Sequence, residues 1–127
     1  MSERIEKPWG WSQEVYRCGR VSLSRICVKP GGFCSWHKHK SKTNRFFVES
    51  GTLTIEVVDI IPVKTKIGDG MTENELIVIP EKVHRFINET DTEVYALEIY
   101  TTGSDLTPPD VNDIVRFSEG GIDKRLQ

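Results

Sequence analysis

The sequence predicts an all-β protein, and three observations support this fold class. Short runs rich in β-branched and aromatic residues alternate with turn-forming residues along most of the chain. The turns recur about every 8–12 residues, a spacing typical of sandwiches and barrels. No segment shows a sustained helical period in its apolar residues. Because 127 residues is the length of one domain, we expect a single β-barrel domain over residues 1–127.

Seven candidate strands follow one another along the chain. They cover residues 13–17, 21–28, 45–49, 53–58, 76–79, 84–88 and 94–100. Good turn chemistry separates them, for example at Pro30-Gly31-Gly32 and at Ser50-Gly51. The barrel core is therefore expected at about residues 13–100, with residues 101–127 as a short irregular or helical C-terminal tail.

Two stretches interrupt this regular pattern. Residues 59–70 lie inside an otherwise tight hairpin, and we expect a longer, mobile loop there. Residues 102–113 contain Gly103, Pro108 and Pro109, which predict irregular chain leaving the barrel. The best short helix candidate in the whole sequence is residues 111–117.

Composition and charge argue against several classes of function. The net charge is −2 with both signs mixed, which does not favour binding to nucleic acid or to a membrane surface. No apolar stretch approaches the roughly 20 residues of a membrane helix. The charged N-terminus lacks the apolar run of a secretory signal, so we expect a cytoplasmic protein. The three cysteines lack Cys-x-x-Cys spacing, and we expect them to be free.

The three histidines are the strongest chemical signal in the sequence. His37 and His39 are two residues apart, so on a strand they share one face with Cα atoms about 6.5–7 Å apart. Two imidazoles at that separation can lean toward one ion at about 2.0–2.1 Å from each nitrogen. His84 can join them if its strand lies beside theirs. The alternative is three unrelated surface histidines.

The segments around these histidines resemble the two motifs of the cupin superfamily. They read Gly31-x5-His37-x-His39-x4-Asn44-x6-Gly51 and Pro80-x3-His84-x3-Asn88. The resemblance implies a jelly-roll barrel whose interior binds one divalent transition metal ion, such as Zn, Mn, Fe, Co or Ni. The implied ligands are His37, His39, His84 and Asn44. Because Asn44 stands where the family carries Glu, the donors are neutral, which predicts weaker metal retention and a stronger pull on an anionic substrate.

Both ends of the chain narrow the resemblance. The quoted segments are Lys7-Pro8-Trp9-Gly10-Trp11, Thr72-Glu73-Asn74-Glu75 and Asn112-Asp113-Ile114-Val115-Arg116-Phe117. They are similar, in order, to segments of the C-terminal cupin domain of type II mannose-6-phosphate isomerases. That resemblance implies a metal-dependent sugar-phosphate isomerase. Three features differ from that family: Gly31 and His37 are two residues closer together, Asn44 replaces Glu, and Gly120-Gly121-Ile122-Asp123-Lys124-Arg125 stands where the family closes with Tyr-Gly-Arg.

An isomerase of this kind needs a base that moves a proton between adjacent carbons of the substrate. Glu98 is our candidate, since it shares a strand face with Val94 and Ala96, which suits the barrel interior. Burial there would raise its pKa. Two alternatives stay open: Glu98 faces solvent or pairs with a nearby lysine. Glu49 is the second choice for the base.

A phosphate group also needs cations near the mouth of the barrel. The candidates are Lys40, Arg45, Lys82 and Arg116, with solvated surface charge or a structural salt bridge as the alternative for each. The resemblance further implies a homodimer. Two other functions remain open: a non-catalytic module that binds a sugar or sugar nucleotide, and a three-histidine dioxygenase-like enzyme.

Overall fold

A computed structural model describes residues 2–103 and 108–126 of the chain. The described part forms thirteen short strands and one 3-10 helix. The strands are β1 (Ile5–Lys7), β2 (Gly10–Cys18), β3 (Val21–Val28), β4 (Gly32–Phe33), β5 (His37–Lys38), β6 (Lys42–Ser50), β7 (Thr52–Val58), β8 (Pro62–Gly68), β9 (Glu75–Val78), β10 (His84–Ile87), β11 (Val94–Thr102), β12 (Val115–Arg116) and β13 (Gly121–Ile122). The helix, η1, spans Lys124–Leu126. Within the described residues, no helix is long and apolar enough to cross a membrane.

The strands pair into two antiparallel sheets that pack face to face. The first sheet has the order β1-β2-β3-β11-β6-β9. In the second sheet β10 is central: β7 pairs with it and carries β8, while β4 and β5 also pair with it and carry β13 and β12. The described residues form no ladder between the two sheets, so the predicted barrel is an open jelly roll of two packed sheets. This arrangement confirms the predicted all-β fold.

Residues alternate between the interior and the surface along the central strands, as a period of two requires. On β6, Asn44, Phe46 and Val48 are buried while Arg45 between them is exposed. On β11, the alternate residues Val94 and Ala96 are fully buried. The inward side chains of both sheets meet in one apolar core, in which Trp9 packs edge-on against Phe86 with ring centroids 4.9 Å apart.

The first glycine of the upstream histidine motif is needed for a close chain approach. Gly31 has a φ of 76°, in the left-handed region that favours glycine. A Cβ atom at this position would clash with the backbone oxygen of Asp123. The Asp123 amide in turn donates to the Gly31 carbonyl at 2.8 Å. Gly31 therefore allows the C-terminal segment to pack beside the strands that carry the histidines.

Two expectations for irregular regions are wrong. Residues 59–70 are largely strand β8, which pairs along its whole length with β7 instead of forming a long loop. Residues 111–117 are not helical: a turn is followed by β12. The physical reason is that backbone carbonyls just before and within this stretch, those of Pro109, Asp110 and Asp113, accept hydrogen bonds from barrel side chains. These contacts with the sheets hold the segment in an irregular path and compete with the regular geometry of a helix.

Candidate metal centre

The three histidines converge on one point between the sheets. His37 begins β5, His39 follows that strand, and His84 begins β10 directly opposite His37 in the ladder. The ring centroids are 4.5 Å apart for His37 and His84, 5.0 Å for His37 and His39, and 5.4 Å for His39 and His84. One ring nitrogen from each residue lies within 4.8 Å of the other two. All three side chains are buried.

Each imidazole is oriented in the same way, by a hydrogen bond between its Nδ1 atom and a backbone carbonyl oxygen. Nδ1 lies 2.8 Å from the Ser35 oxygen in His37, 2.7 Å from the Asp113 oxygen in His39 and 2.9 Å from the Lys82 oxygen in His84. A carbonyl only accepts hydrogen bonds, so each Nδ1 carries the proton and each Nε2 keeps its lone pair. Such outer contacts fix the tautomer and aim of metal-binding histidines.

The protein interior keeps these imidazoles neutral. Burial, reinforced by His84 and His39, lowers the pKa of His37 to about 3. Burial likewise lowers the pKa of His39 to about 4 and also lowers the pKa of His84. A metal ion binds only the neutral imidazole. The cluster is therefore in its metal-binding protonation state at neutral pH.

The donor set fits a divalent transition metal. The Nε2 atoms of His39 and His84 and the Oδ1 atom of Asn44 are buried and have no hydrogen-bond partner among the described residues. Leaving three buried acceptors without partners is unfavourable unless something else satisfies them. Imidazole nitrogens suit Zn, Fe, Co and Ni in particular. The residues present could thus hold one ion through His37, His39 and His84, next to the amide oxygen of Asn44.

Glu98 lies in the interior beside this cluster. Its Oε2 atom accepts hydrogen bonds from Asn44 Nδ2 at 3.1 Å and from the Tyr100 hydroxyl at 2.7 Å. Burial raises the pKa of Glu98, and the two hydrogen bonds oppose that rise. Of the readings left open by the sequence, solvent exposure and a lysine ion pair are both wrong. The second candidate, Glu49, is on the outside and pairs with Arg25 at 2.9 Å.

His37, His39 and Glu98 line one cavity of about 490 Å³. The C-terminal segment covers it with Pro109, Val111 and Ile114. This cavity lies within the size range of small-molecule sites in proteins. The acid and the cluster therefore face a common space large enough for a ligand.

The four cations predicted to bind substrate are placed very differently. Arg116 lines the cavity, and its strand neighbour across the ladder is His37. Lys40 is exposed and does not line it. Arg45 and Lys82 also lie outside it, as members of surface ion pairs with acidic residues at 3.0 Å and 3.2 Å. The structure thus brings only Arg116 of this set to the site.

Three other cations line the cavity instead: Lys7, Arg17 and Lys42. Lys42 is buried, and its ammonium lies 4.2 Å from the centre of the Tyr100 ring. Burial lowers the pKa of Lys42. The sequence does indicate that Lys42 points inward, because residues two apart on a strand share a face and Lys42 is two residues before Asn44. The remaining two come from strands that contribute none of the predicted site residues.

A family model described as a cupin domain matches residues 24–100. That span is more than half of the chain and contains both histidine segments and Glu98.

Relatives of established description are partial matches. Alginate biosynthesis protein AlgA of Pseudomonas aeruginosa is 32% identical over 108 residues, which cover 84% of this chain and 21% of that protein. Mannose-1-phosphate guanylyltransferase of Sinorhizobium fredii is 28% identical over 96 residues, covering 75% of this chain and 17% of that protein. The chain therefore spans about a fifth of the length of these relatives.

Solved structures with the same fold are more distant in sequence. The capsular polysaccharide assembling protein CapF of Staphylococcus aureus matches with a TM-score of 0.76 at 19% identity, covering 91% of this chain and 31% of that one. Oxalate decarboxylase of Bacillus subtilis matches with a TM-score of 0.75 at 15% identity, covering 91% and 30%. At these identities the likeness supports the fold alone.

Proposed function

The chain is a member of the cupin family, and we propose that it is a metal-dependent sugar-phosphate isomerase of the mannose-6-phosphate isomerase kind. One observation carries the proposal: the buried carboxyl group of Glu98 lines the same cavity as His37 and His39, two members of the three-histidine cluster. Aldose–ketose isomerisation needs this combination of an acid–base group and an electrophile. The partial similarity to the guanylyltransferase and AlgA proteins agrees with a substrate from sugar-phosphate metabolism.

The metal ion would be held by His37, His39 and His84, with the Asn44 amide oxygen as a further donor. When bound, a divalent ion supplies Lewis-acid stabilisation of negative charge on substrate oxygen atoms. Because all four protein donors are neutral, the ion keeps its full charge for an anionic or polarised oxygen of the ligand. This balance favours substrate binding over tight metal retention.

Glu98 would act as the proton-carrying group. Its raised pKa brings it closer to neutral pH, where a carboxyl group both accepts and returns a proton efficiently. Asn44 and Tyr100 both donate to Oε2, so Oε1 is left without a partner among the described residues. The two donors therefore fix the carboxyl group with one oxygen free for a ligand.

The substrate phosphate would be met by Arg116, assisted by Lys7 and Lys42. Arg116 and Lys7 line the cavity and have no ion-pair or hydrogen-bond partner among the described residues. An arginine fork matches phosphate geometry, and lysine adds a point charge. Lys40, Arg45 and Lys82, the other phosphate-binding candidates from the sequence, are not part of the proposed site.

We also propose that the protein is a cytoplasmic homodimer, as the sequence and its family resemblance lead us to expect. Exposed apolar side chains on the outer face, such as Ile77 and Ile79, support a self-association surface. Sedimentation velocity tests this: a single species with the mass of one chain contradicts it.

A second candidate is a module that binds a sugar or sugar nucleotide without turnover. The neutral Asn44 at the position of the family's Glu favours it, because weaker metal retention lowers catalytic capacity. Replacing Asn44 with Glu separates the two functions: we expect tighter metal binding and, for an enzyme, measurable turnover at lower metal concentration. No gain in metal affinity would remove Asn44 from the ligand set.

The direct test is interconversion of mannose 6-phosphate and fructose 6-phosphate with Mn, Co, Zn, Fe or Ni added, alongside measurement of bound metal. We expect turnover that chelation and His37→Ala both abolish. Lys38→Ala is the matched control, because Lys38 is the next residue in the strand and pairs outward with Glu81 at 3.1 Å. Sugar binding without turnover supports the binding module, and oxygen uptake supports a dioxygenase-like enzyme.

A further inference from the structure

The inward face of the first sheet changes from apolar to polar side chains at the same height on two neighbouring strands. On β3 the inward residues change from Ile26 to Ser24, and on β11 they change from Ala96 to Glu98. The ladder pairs Ala96 with Ile26 and Glu98 with Ser24, so the two changes lie side by side. The sheet interior is therefore apolar in one half and polar in the other, with a common boundary.

The polar half continues well beyond the histidine cluster. Five residues of β2 and β3 line the cavity, and we call four of them the serine floor: Ser12, Glu14, Ser22 and Ser24; the fifth is Arg17. Ser12 lies just across the boundary, opposite Ile26 in the ladder. Glu98 pairs with Ser24, and Ser24 pairs with Glu14 on the next strand. Two strand spacings of about 4.8 Å place Glu14 about 10 Å from Glu98 across the sheet. The serine floor thus extends the site sideways, away from the metal cluster.

The far end of the serine floor is held in a fixed arrangement. Arg17 donates to both carboxylate oxygens of Glu14, at 2.8 Å to 3.2 Å, and its other nitrogen donates to the Pro109 carbonyl at 2.7 Å. The Ser22 hydroxyl donates to the same carboxylate at 3.0 Å. A bound ligand would therefore meet a preorganised acceptor and donor at this end.

The near part of the serine floor has unused hydrogen-bonding capacity. Among the described residues, the hydroxyl groups of Ser12 and Ser24 have no hydrogen-bond partner. Short hydroxyl side chains stand here at strand positions where the other half of the sheet buries Ile and Val. They contribute little apolar burial, and they leave space that the cavity occupies. Groups that both donate and accept suit a ligand that is itself rich in hydroxyl groups.

We propose that the serine floor binds the hydroxylated carbon chain of the substrate and so selects long polyhydroxylated phosphates over three-carbon ones. The proposal rests on the proposed function for the position of the reacting carbons at the metal cluster. The carbons between the reacting pair and the phosphate lie across Ser24 and Ser12, so that the terminal phosphate stays with Arg116, Lys7 and Lys42. The substrate class is then an open-chain sugar phosphate with several hydroxyl groups beyond the reacting pair.

The test uses two unreactive ligands that share a phosphate but differ in length, sorbitol 6-phosphate and glycerol 3-phosphate. Titration calorimetry of the metal-loaded protein gives both dissociation constants. We expect tighter binding of sorbitol 6-phosphate by the unmodified protein. Ser12→Ala combined with Ser24→Ala should weaken that binding about 30-fold, since each of the two lost hydrogen bonds contributes about 1 kcal/mol and about 1.4 kcal/mol is a factor of ten. Binding of glycerol 3-phosphate should change less than about twofold.

Three controls keep the result interpretable. Ser50→Ala alters an exposed serine outside the cavity and should leave both constants unchanged. Ser24→Val keeps the strand propensity while filling the space, and it should also weaken sorbitol 6-phosphate selectively. Metal content, measured for every variant, separates a loss of the ion from a loss of the serine floor.

The outcomes separate this proposal from the proposed function. Equal affinity for the two ligands in the unmodified protein, or equal losses for both in the serine variants, would overturn the serine floor as a specificity site. Selective weakening together with no isomerase turnover supports the serine floor and rejects the isomerase. Turnover of mannose 6-phosphate that the serine variants leave untouched rejects the serine floor and keeps the isomerase.

Discussion

The two halves of the barrel interior are built from the same strands and differ in almost every physical respect. The apolar half contains Ile26, Val28, Val94 and Ala96, all fully buried in one apolar cluster. The polar half contains the histidine cluster, Glu98 and the serine floor around a cavity. Burial of apolar surface stabilises the fold, whereas buried polar groups cost stability unless they find partners. The comparison shows that apolar burial in one half offsets the free-energy cost of the buried polar groups that form the site in the other half.

Glu98→Gln should have the largest effect on activity and no destabilising effect. The raised pKa means that the folded state disfavours the carboxylate, so at neutral pH the charged group lowers the free energy of unfolding. An amide removes that cost but cannot carry the proton, and kcat should fall about 10²–10⁴-fold. Steady-state kinetics and thermal unfolding measure the two effects. Glu49→Gln is the control on the outer face; a full loss of activity there contradicts the assignment.

Phe46→Ala should show the opposite behaviour, a loss of stability. Phe46 belongs to the apolar cluster and lies across the ladder from Glu98, at the edge of the polar half. Phe46 is fully buried and packs against Phe86 with ring centroids 6.1 Å apart. Its removal leaves a cavity, and the free energy of unfolding should fall by about 3–5 kcal/mol. Urea unfolding measures this, with Phe117→Ala, which alters an exposed ring, as the control. A change below 1 kcal/mol would mean that the two halves share stability more evenly than we infer.

Asp113→Ala should weaken metal binding about 10–100-fold while leaving the apolar half intact. The Asp113 carbonyl accepts from His39, and its carboxylate accepts from the amides of Lys40 at 2.8 Å and Ser41 at 3.0 Å. Losing the carboxylate loosens the segment that aims the His39 ring. A competitive metal-chelator titration measures the affinity, and Asp91→Ala at an exposed site is the control. An unchanged affinity would show that the backbone bond alone suffices.

Acid should destabilise the metal-free protein, because the buried histidines resist protonation in the folded state. The folded-state pKa values of His37 and His39, about 3 and about 4, lie below the unfolded value of about 6.5. The unfolded chain therefore binds protons first, and stability falls as pH drops from about 6.5 toward 4. Each histidine contributes at most about 1.4 kcal/mol per pH unit.

The Glu98→Gln variant is the right background for this measurement, because a raised carboxyl pKa acts with the opposite sign. Urea unfolding at pH 7, 6 and 5 follows the change. Bound metal should reduce the slope, since the ion stabilises the folded state and holds the rings neutral. A flat profile in the metal-free protein contradicts the neutral, buried cluster.

Much of this comparison could be predicted from the sequence, because strand parity and turn chemistry are local properties. The inward placement of Glu98 was one of the readings that its shared face with Val94 and Ala96 suggested, and the cluster was expected from the His37-x-His39 spacing together with the resemblance to the cupin motifs. Strand β8 was missed because its first five residues are exposed and lack an apolar alternation. An exposed hairpin strand carries no burial signal in its composition.

The cations were harder to predict, since closeness in sequence is a poor guide to side-chain direction. Arg45 follows Asn44 directly, and one step along a strand turns a side chain to the opposite face. Lys7 and Arg17 reach the cavity from β1 and the far end of β2, and only the tertiary fold brings those strands beside the histidines. Parity alone would have favoured Lys42.

The hydrogen bond that the Asp113 carbonyl accepts from His39 has a consequence for biosynthesis. The two residues are 74 positions apart, and Asp113 follows the last long strand, β11. On the ribosome, the strands that build the apolar half emerge before the residue that orients the second imidazole. Under the proposed function, metal loading would be a late event in maturation, and a nascent chain stalled before Asp113 should already be collapsed yet bind the ion poorly.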